Sequence, residues 1–340
     1  WWNQPGISLD RSVAFPDATV HYRKPQPVSL FKGDDLEIKI APRLRSLASS
    51  PDDGVRFSLQ EDVRVEVLAD TLRPLSSMLD TLHACQDLLS IACRQYCVAE
   101  HVDVYQSLEP LPCDATYHAV PVVKPGESSR PFSLLFRFSD LAGTPVFSSW
   151  LANMEALRPV RALYFLSVYG ENFIEGRFLA IVQAIEAFHR RLRDGVYMEP
   201  SDFDRVVAGP LIAAVPTELD APLHASLVSR IRFGNEYSLR KRLRLLFAEH
   251  RAALDQVAPD ASRFINVIVD RRNMFTHFPP ETERSNIDGQ DWLRLIFLLR
   301  LVLECCFLKA AGFTDDRIRE FVGQCDSYRW EAERWFGLRP

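Results

Sequence analysis

The chain has 340 residues, a length that at roughly 100–200 residues per domain reads as two domains, each able to bury its own core. Hydrophobic residues make up 47% and charged residues 25%, with 14 Gly against 22 Pro, which excludes a disordered, fibrous or disulfide-scaffold chain. The formal charge of -5 excludes a histone-like polycation, so any contact with nucleic acid must come from a local patch.

Residues 1–150 hold 14 of the 40 cations and 19 of the 45 anions, leaving 26 of each sign for 151–340. In the second part only Lys241 and Lys309 are lysine, an arginine bias that suits phosphate contacts or buried ion pairs. The chain opens at Trp1 with neither Met nor a basic-then-apolar leader, and reads as one whose leading residues are missing. No apolar run reaches the length of a bilayer span, since Arg300 and Glu304 break the stretch from Leu295 to Leu308. Seven cysteines, odd in number and without framework spacing, fit a reducing cytoplasm.

In chain order, the alternation Val63-Arg64-Val65-Glu66-Val67 predicts a half-buried strand, and the β-branched and aromatic runs 116–123 and 132–138 predict two more. Leu72 to Cys97 reads as a helix, so 1–150 is expected to be an α+β domain. After Pro145 the pattern turns helical. Phe178, Ile181, Ile185, Phe188 and Leu192 repeat at 3-4 spacing and predict a bundle helix over that stretch. Further helices are predicted over 221–233, 239–250, 260–276, 291–311 and 314 to about 335, with Gly312 as a C-cap and Thr314-Asp315-Asp316 opening the last.

The chemistry-bearing run is Arg271-Arg272-Asn273-Met274-Phe275-Thr276-His277, at the end of a helix that Phe278-Pro279-Pro280 must stop. On a helical wheel Phe264, Ile265, Val267, Ile268 and Phe275 form an apolar arc with Arg272 inside it. A guanidinium there needs a carboxylate, a phosphate or an opening, and Glu186 on the first long helix is a candidate partner. His277 lies five positions on, about 140° around a regular helix. The two groups converge only if the last turn loosens at Thr276, or if a two-fold partner brings a second copy of this helix end. The bland reading of His277 is a cap for the last helical carbonyls.

Glu186 and His189 flank the apolar stripe as supporting residues or as a structural pair. Arg230, Arg232, Arg240, Lys241, Arg242 and Arg244 are a candidate RNA track or a solvated helix face. Cys93, Cys97 and His101 share a helical spacing, but the segment turns strand-like at about Val98, so no metal site and no cofactor is expected.

The Arg272-Asn273-Met274-Phe275-Thr276-His277 run resembles the R-x4-6-H signature of the HEPN superfamily, and more closely the "RN-x-x-TH" segment of its ApeA-like branch. Arg177-Phe178-Leu179 through Ala184-Ile185-Glu186-Ala187-Phe188-His189-Arg190 is similar to that branch's first long helix, and Leu239-Arg240-Lys241-Arg242-Leu243 to its middle segment. Upstream, Trp1-Trp2 and Phe136-Arg137-Phe138-Ser139-Asp140-Leu141 with Trp150-Leu151 resemble the start and end of the N-terminal domain that precedes this module. The resemblance implies an α+β regulatory or sensor domain over 1–150 and an all-α HEPN bundle over 151–340. It further implies a cytoplasmic, metal-independent endoribonuclease, a regulated anti-phage toxin acting by abortive infection, with a composite site in a homodimer or higher oligomer. His277 would be the acid/base, Arg272 the cation facing the phosphorus and Asn273 a support. RNA would be the substrate and a phage or host protein the trigger. The alternative is a HEPN-like bundle kept for dimerisation or for ligand or RNA binding.

Overall fold

A computed structural model describes residues 7–9, 20–22, 25–50, 56–99, 101–105, 115–118, 134–141, 144–277 and 289–337. The chain divides into two compact units, one built on residues 1–154 with 308–314 and 324–327, the other on 155–307, 315–323 and 328–340.

In the first unit β1 (Ile7–Leu9) and β2 (Val20–Tyr22) pair antiparallel. β3 (Val28–Lys32), β4 (Leu36–Ser50) and β5 (Arg56–Ala69) form an antiparallel meander with a register shift between Leu44 and Ser46. The predicted strand over Val63 to Val67 lies in β5, where Val65 faces Ile40 and Val67 faces Ile38, both of the latter buried. α1 (Leu75–Cys93) is shorter than the Leu72 to Cys97 reading because Pro74 starts it and Arg94, left-handed at φ 50°, ends it. β6 (His101–Val104) and β7 (Ala115–His118) close the described strands. The predicted run 116–123 is therefore strand over 116–118, and 119–123 lie outside the described residues.

The strand predicted over 132–138 is corrected. From Leu134 the backbone is irregular and ends in a 3-10 turn at Phe138–Asp140; 132–133 lie outside the described residues. Leu135, Phe136 and Phe138 are all buried, without alternation, and the Leu135 amide donates to the Ala92 carbonyl at the end of α1. α2 (Val146–Ala152) completes this core with Trp150, whose indole donates to the Ala84 carbonyl at 2.9 Å.

The remaining helices are α3 (Met154–Tyr169), α4 (Ile174–Leu192), α5 (Pro200–Phe203), α6 (Gly209–Ala213), α7 (Ala221–Arg232), α8 (Leu239–Glu249), α9 (Arg251–Leu254), α10 (Ile265–His277), α11 (Gly289–Ala310), α12 (Asp315–Gln324) and α13 (Asp326–Phe336). In α4 the stripe behaves as its spacing predicts: Phe178, Ile181, Ile185 and Phe188 have no exposure. They pack in the second unit's core with Leu243 and Leu246 of α8, Ile268 of α10 and the near-continuous apolar face of α11. α10 is preceded by a 3-10 turn at Ala261–Phe264, so the α-helix begins five residues later than expected. The single helix expected from Thr314 is two helices, with Cys325 between them. The architecture is an α+β N-terminal part followed by an all-α bundle.

Candidate functional site

Ile265, Ile268 and Val269 bury one side of α10, whereas Val267 is 41% exposed and drops out of the expected apolar arc. Arg272 lies one turn beyond Ile268 and Val269 with its side chain 34% exposed. Its guanidinium finds the carboxylate that this position requires: Nη2 stands 3.9 Å from Glu186 Oε2, and Nη1 donates to Asn273 Oδ1 at 3.2 Å. Phe275 packs edge-on against Trp292 of α11, which does the same with Phe178 of α4, and this aromatic group fixes the C-terminal end of α10 in the bundle.

Glu186 is shared. Its Oε1 accepts from Nε and Nη2 of Arg190, one turn along α4, at 3.2 and 3.1 Å. Arg190 Nη1 in turn donates to Glu236 Oε2, and these two carboxylates hold the Arg190 proton more firmly than usual, chiefly through Glu236. Glu236 Oε2 also lies 3.9 Å from Nη2 of Arg242. Arg242 is 1% exposed, donates from Nε to the Tyr237 carbonyl at 3.0 Å, and places Nη1 3.0 Å from His189 Nδ1. A guanidinium can only donate, so Nδ1 is the acceptor and the His189 ring is neutral with its proton on Nε2. Burial first, then the charges of Arg242 and Arg193, push the His189 pKa down to about 4. One polar chain thus runs from Arg272 through Glu186, Arg190, Glu236 and Arg242 to His189.

The structure brings Arg272, Asn273 and Glu186 together. It separates Glu186 from His189: each has its own arginine, and His189 is 2% exposed. Asn273 Oδ1 accepts from the Arg272 guanidinium. α10 stays helical through His277, its last residue, with the Thr276 hydroxyl donating to the Arg272 carbonyl at 2.8 Å. Of the two routes to convergence, loosening at Thr276 is thus not seen in α10, whose regular turn sets positions 272 and 277 about 140° apart. The His277 side chain and residues 278–288 lie outside the described residues.

The cationic run splits. Arg230, Arg232 and Arg244 are exposed; Arg240 pairs with Asp270 at 3.4 Å, and Lys241 lies over the Tyr237 ring at 5.7 Å. Arg242 is corrected: it is a buried guanidinium that ties α8 to α4, not part of a solvent-facing track. Sequence reasoning missed Arg190 and Glu236 as members of the network. The four-residue step from Glu186 to Arg190 was a usable signal, whereas the link across 46 positions to Glu236 leaves no trace in spacing. Among the described residues no group of three or more His, Cys, Asp or Glu is placed to hold a metal, and no helix is long and apolar enough to cross a membrane.

The second part of the chain is thus an all-α bundle with a half-buried arginine near the end of one helix, and the first part is α+β. Comparison with protein families agrees: the Apea-like HEPN model matches residues 179–317, and the ApeA N-terminal domain 1 model matches residues 1–150. The chain belongs to the ApeA-like HEPN proteins. Glu186, His189, the cationic run, Arg272, Asn273 and His277 all fall within the first of these matches. No curated protein and no solved structure matches the chain.

Proposed function

We propose that this protein is an endoribonuclease whose site combines Arg272 and His277, with Asn273 in support, where two copies of α10 meet in a homodimer. The observation that carries the reading is the state of Arg272. It is half-buried, fixed in direction by Asn273, and only loosely held by Glu186, whose nearer partner is Arg190. A guanidinium so placed keeps donors to offer to a phosphate at little rearrangement. A neutral imidazole at His277 takes the proton of the ribose 2′-hydroxyl, whose oxygen attacks the adjacent phosphorus. The P–O5′ bond breaks, the leaving oxygen is protonated, and a 2′,3′-cyclic phosphate remains. Arg272 stabilises the negative charge that grows on the non-bridging oxygens. Every step uses groups of the protein, so the reaction is proposed to run without a metal. Arg230, Arg232 and Arg244, exposed near α8, are the cations proposed to follow the RNA backbone.

Residues 1–150 are proposed as the regulatory or sensor domain and 151–340 as the catalytic bundle of a cytoplasmic anti-phage toxin, released by a phage product or a host protein. The deciding experiment measures RNA cleavage in EDTA. His277→Ala and Arg272→Ala should each melt within a few degrees of wild type and lose at least about 10²-fold in rate. Overproduction of wild type, and not of His277→Ala, should be toxic to bacteria. The Arg272–Glu186 ion pair favours one rival, a bundle retained for dimerisation or binding with the arginine as an internal tie. Cleavage equal in wild type and both variants decides for that rival, and loss of wild-type cleavage in EDTA decides for a metal-dependent nuclease.

A further inference from the structure

The second unit contains a cavity of about 70 Å³ remote in sequence from Arg272, lined among others by Arg177 of α4, Phe297 and Arg300 of α11, and Glu331 and Trp335 of α13. Two guanidiniums share it. Arg300 spends its Nε on Glu304 Oε1 at 2.7 Å, and Glu304, without exposure, is further occupied by the hydroxyls of Tyr164 and Tyr328. Arg300 Nη2 is buried and finds no acceptor among the described residues. Arg177 donates from Nε to the Ser167 carbonyl at 2.8 Å and has no carboxylate partner among the described residues. Burial and the neighbouring charge of Arg300 both act against its protonated form. A partly buried cation facing a second cation is costly, and native interiors resolve such an arrangement with an anion. Glu304 and Glu331 offset the charge of Arg300, but neither makes an ion pair with Arg177, and water would satisfy the idle Nη2 without giving Arg177 a direct counter-ion.

We propose that this cavity is a binding site for a small oxyanion, a phosphoryl or carboxylate group held between Arg177 and Arg300. The cavity has room for such a group and is partly open to solvent, so a larger ligand could leave its remainder outside. Glu331 also lines the cavity and favours the charged form of Arg300, and in this proposal it acts as a selectivity element, because its carboxylate opposes a second negative charge. The inference is independent of the ribonuclease reading, since it involves none of the residues assigned to that reaction.

Isothermal titration calorimetry on the full chain, with inorganic phosphate and with 5′-AMP at ionic strength matched by chloride, tests it. The expected result is one site per chain for at least one of these probes. Arg177→Gln should weaken it at least about tenfold, in line with a lost charge-assisted hydrogen bond, and Glu331→Gln should tighten it. Glu331→Gln leaves both arginines in place, so it keeps the test valid even if Arg177→Gln misfolds. Binding of AMP without binding of phosphate, again lost in Arg177→Gln, identifies a phosphomonoester ligand with an organic remainder and supports the site. Absence of heat with both probes, or equal affinity in wild type and Arg177→Gln, overturns it.

Discussion

At the scale of single residues, His189 carries a pH signature that its surroundings dictate. Its pKa in the fold is about 4, against 6.5 for the free side chain, because burial and the adjacent Arg242 and Arg193 oppose a second positive charge. Between these values the unfolded chain binds a proton that the folded chain refuses, so the stabilisation is complete above about pH 6.5 and drains away as pH falls toward 4. The loss should reach about 2–3 kcal/mol. Urea melts from pH 7.5 to 4 should show it, and His189→Gln, whose amide oxygen still accepts from Arg242, should flatten that part of the slope. An unchanged slope in the variant would remove the assignment. Glu304 is the second residue whose buried partners allow a prediction at this scale. Glu304→Leu strands the Arg300 guanidinium and two tyrosine hydroxyls, and should cost about 3–5 kcal/mol in a denaturant melt.

At the scale of elements, what was legible in the sequence depended on whether the deciding contacts were local. α4 was readable because its 3-4 spacing of large apolar residues suits only a helix with one buried side, and the C-terminus of α11 because Gly312 must take φ +95°. The Gly312 and Phe313 amides donate to the Lys309 and Leu308 carbonyls, and a β-carbon at 312 would stand 3.2 Å from Ser149 Oγ. Gly312→Ala should therefore cost about 1–2 kcal/mol, readable as a lower melting temperature. The break at Cys325 was invisible for the opposite reason. Ile318, Phe321, Val322, Cys325, Tyr328, Ala332 and Trp335 stay buried in unbroken helical phase, so periodicity carries straight through the end of α12 into α13. The run 132–138 misled because its residue types favour strand, whereas the hydrogen bond of Leu135 to α1 and the burial of both Leu135 and Phe136 are long-range matters. In the site, the need of Arg272 for a carboxylate and the candidacy of Glu186 were legible from one helical wheel and one stripe. The depth of Arg242 was not, because one of six cations within 15 residues reads as solvent-facing until its partner His189 on α4 is known.

At the scale of the whole molecule, the net charge of -5 resides entirely in residues 1–150, where 19 anions outnumber 14 cations; the remainder is neutral. On the proposed function, RNA would be met by the second part of the chain through its exposed arginines, and cleavage should then fall steeply with added salt, measurable as rate against ionic strength. The same scale holds the sharpest test of the composite site. A regular α10 sets positions 272 and 277 about 140° apart around its axis, so the proposed reaction is taken to use Arg272 from one protomer and His277 from its partner. Two-fold symmetry then creates two such sites per dimer. If chains carrying only Arg272→Ala are mixed and re-annealed with chains carrying only His277→Ala, half of the dimers are hybrids, and each hybrid has one site with both residues intact. Activity should rise from background to about one quarter of wild type, although each parent preparation is inactive. Sites built within a single protomer predict no recovery at any mixing ratio, because every chain then lacks one of the two groups. Wild-type dimers diluted into an excess of the doubly substituted chain supply the converse: activity should fall as wild-type homodimers are replaced, since each hybrid site then lacks one partner.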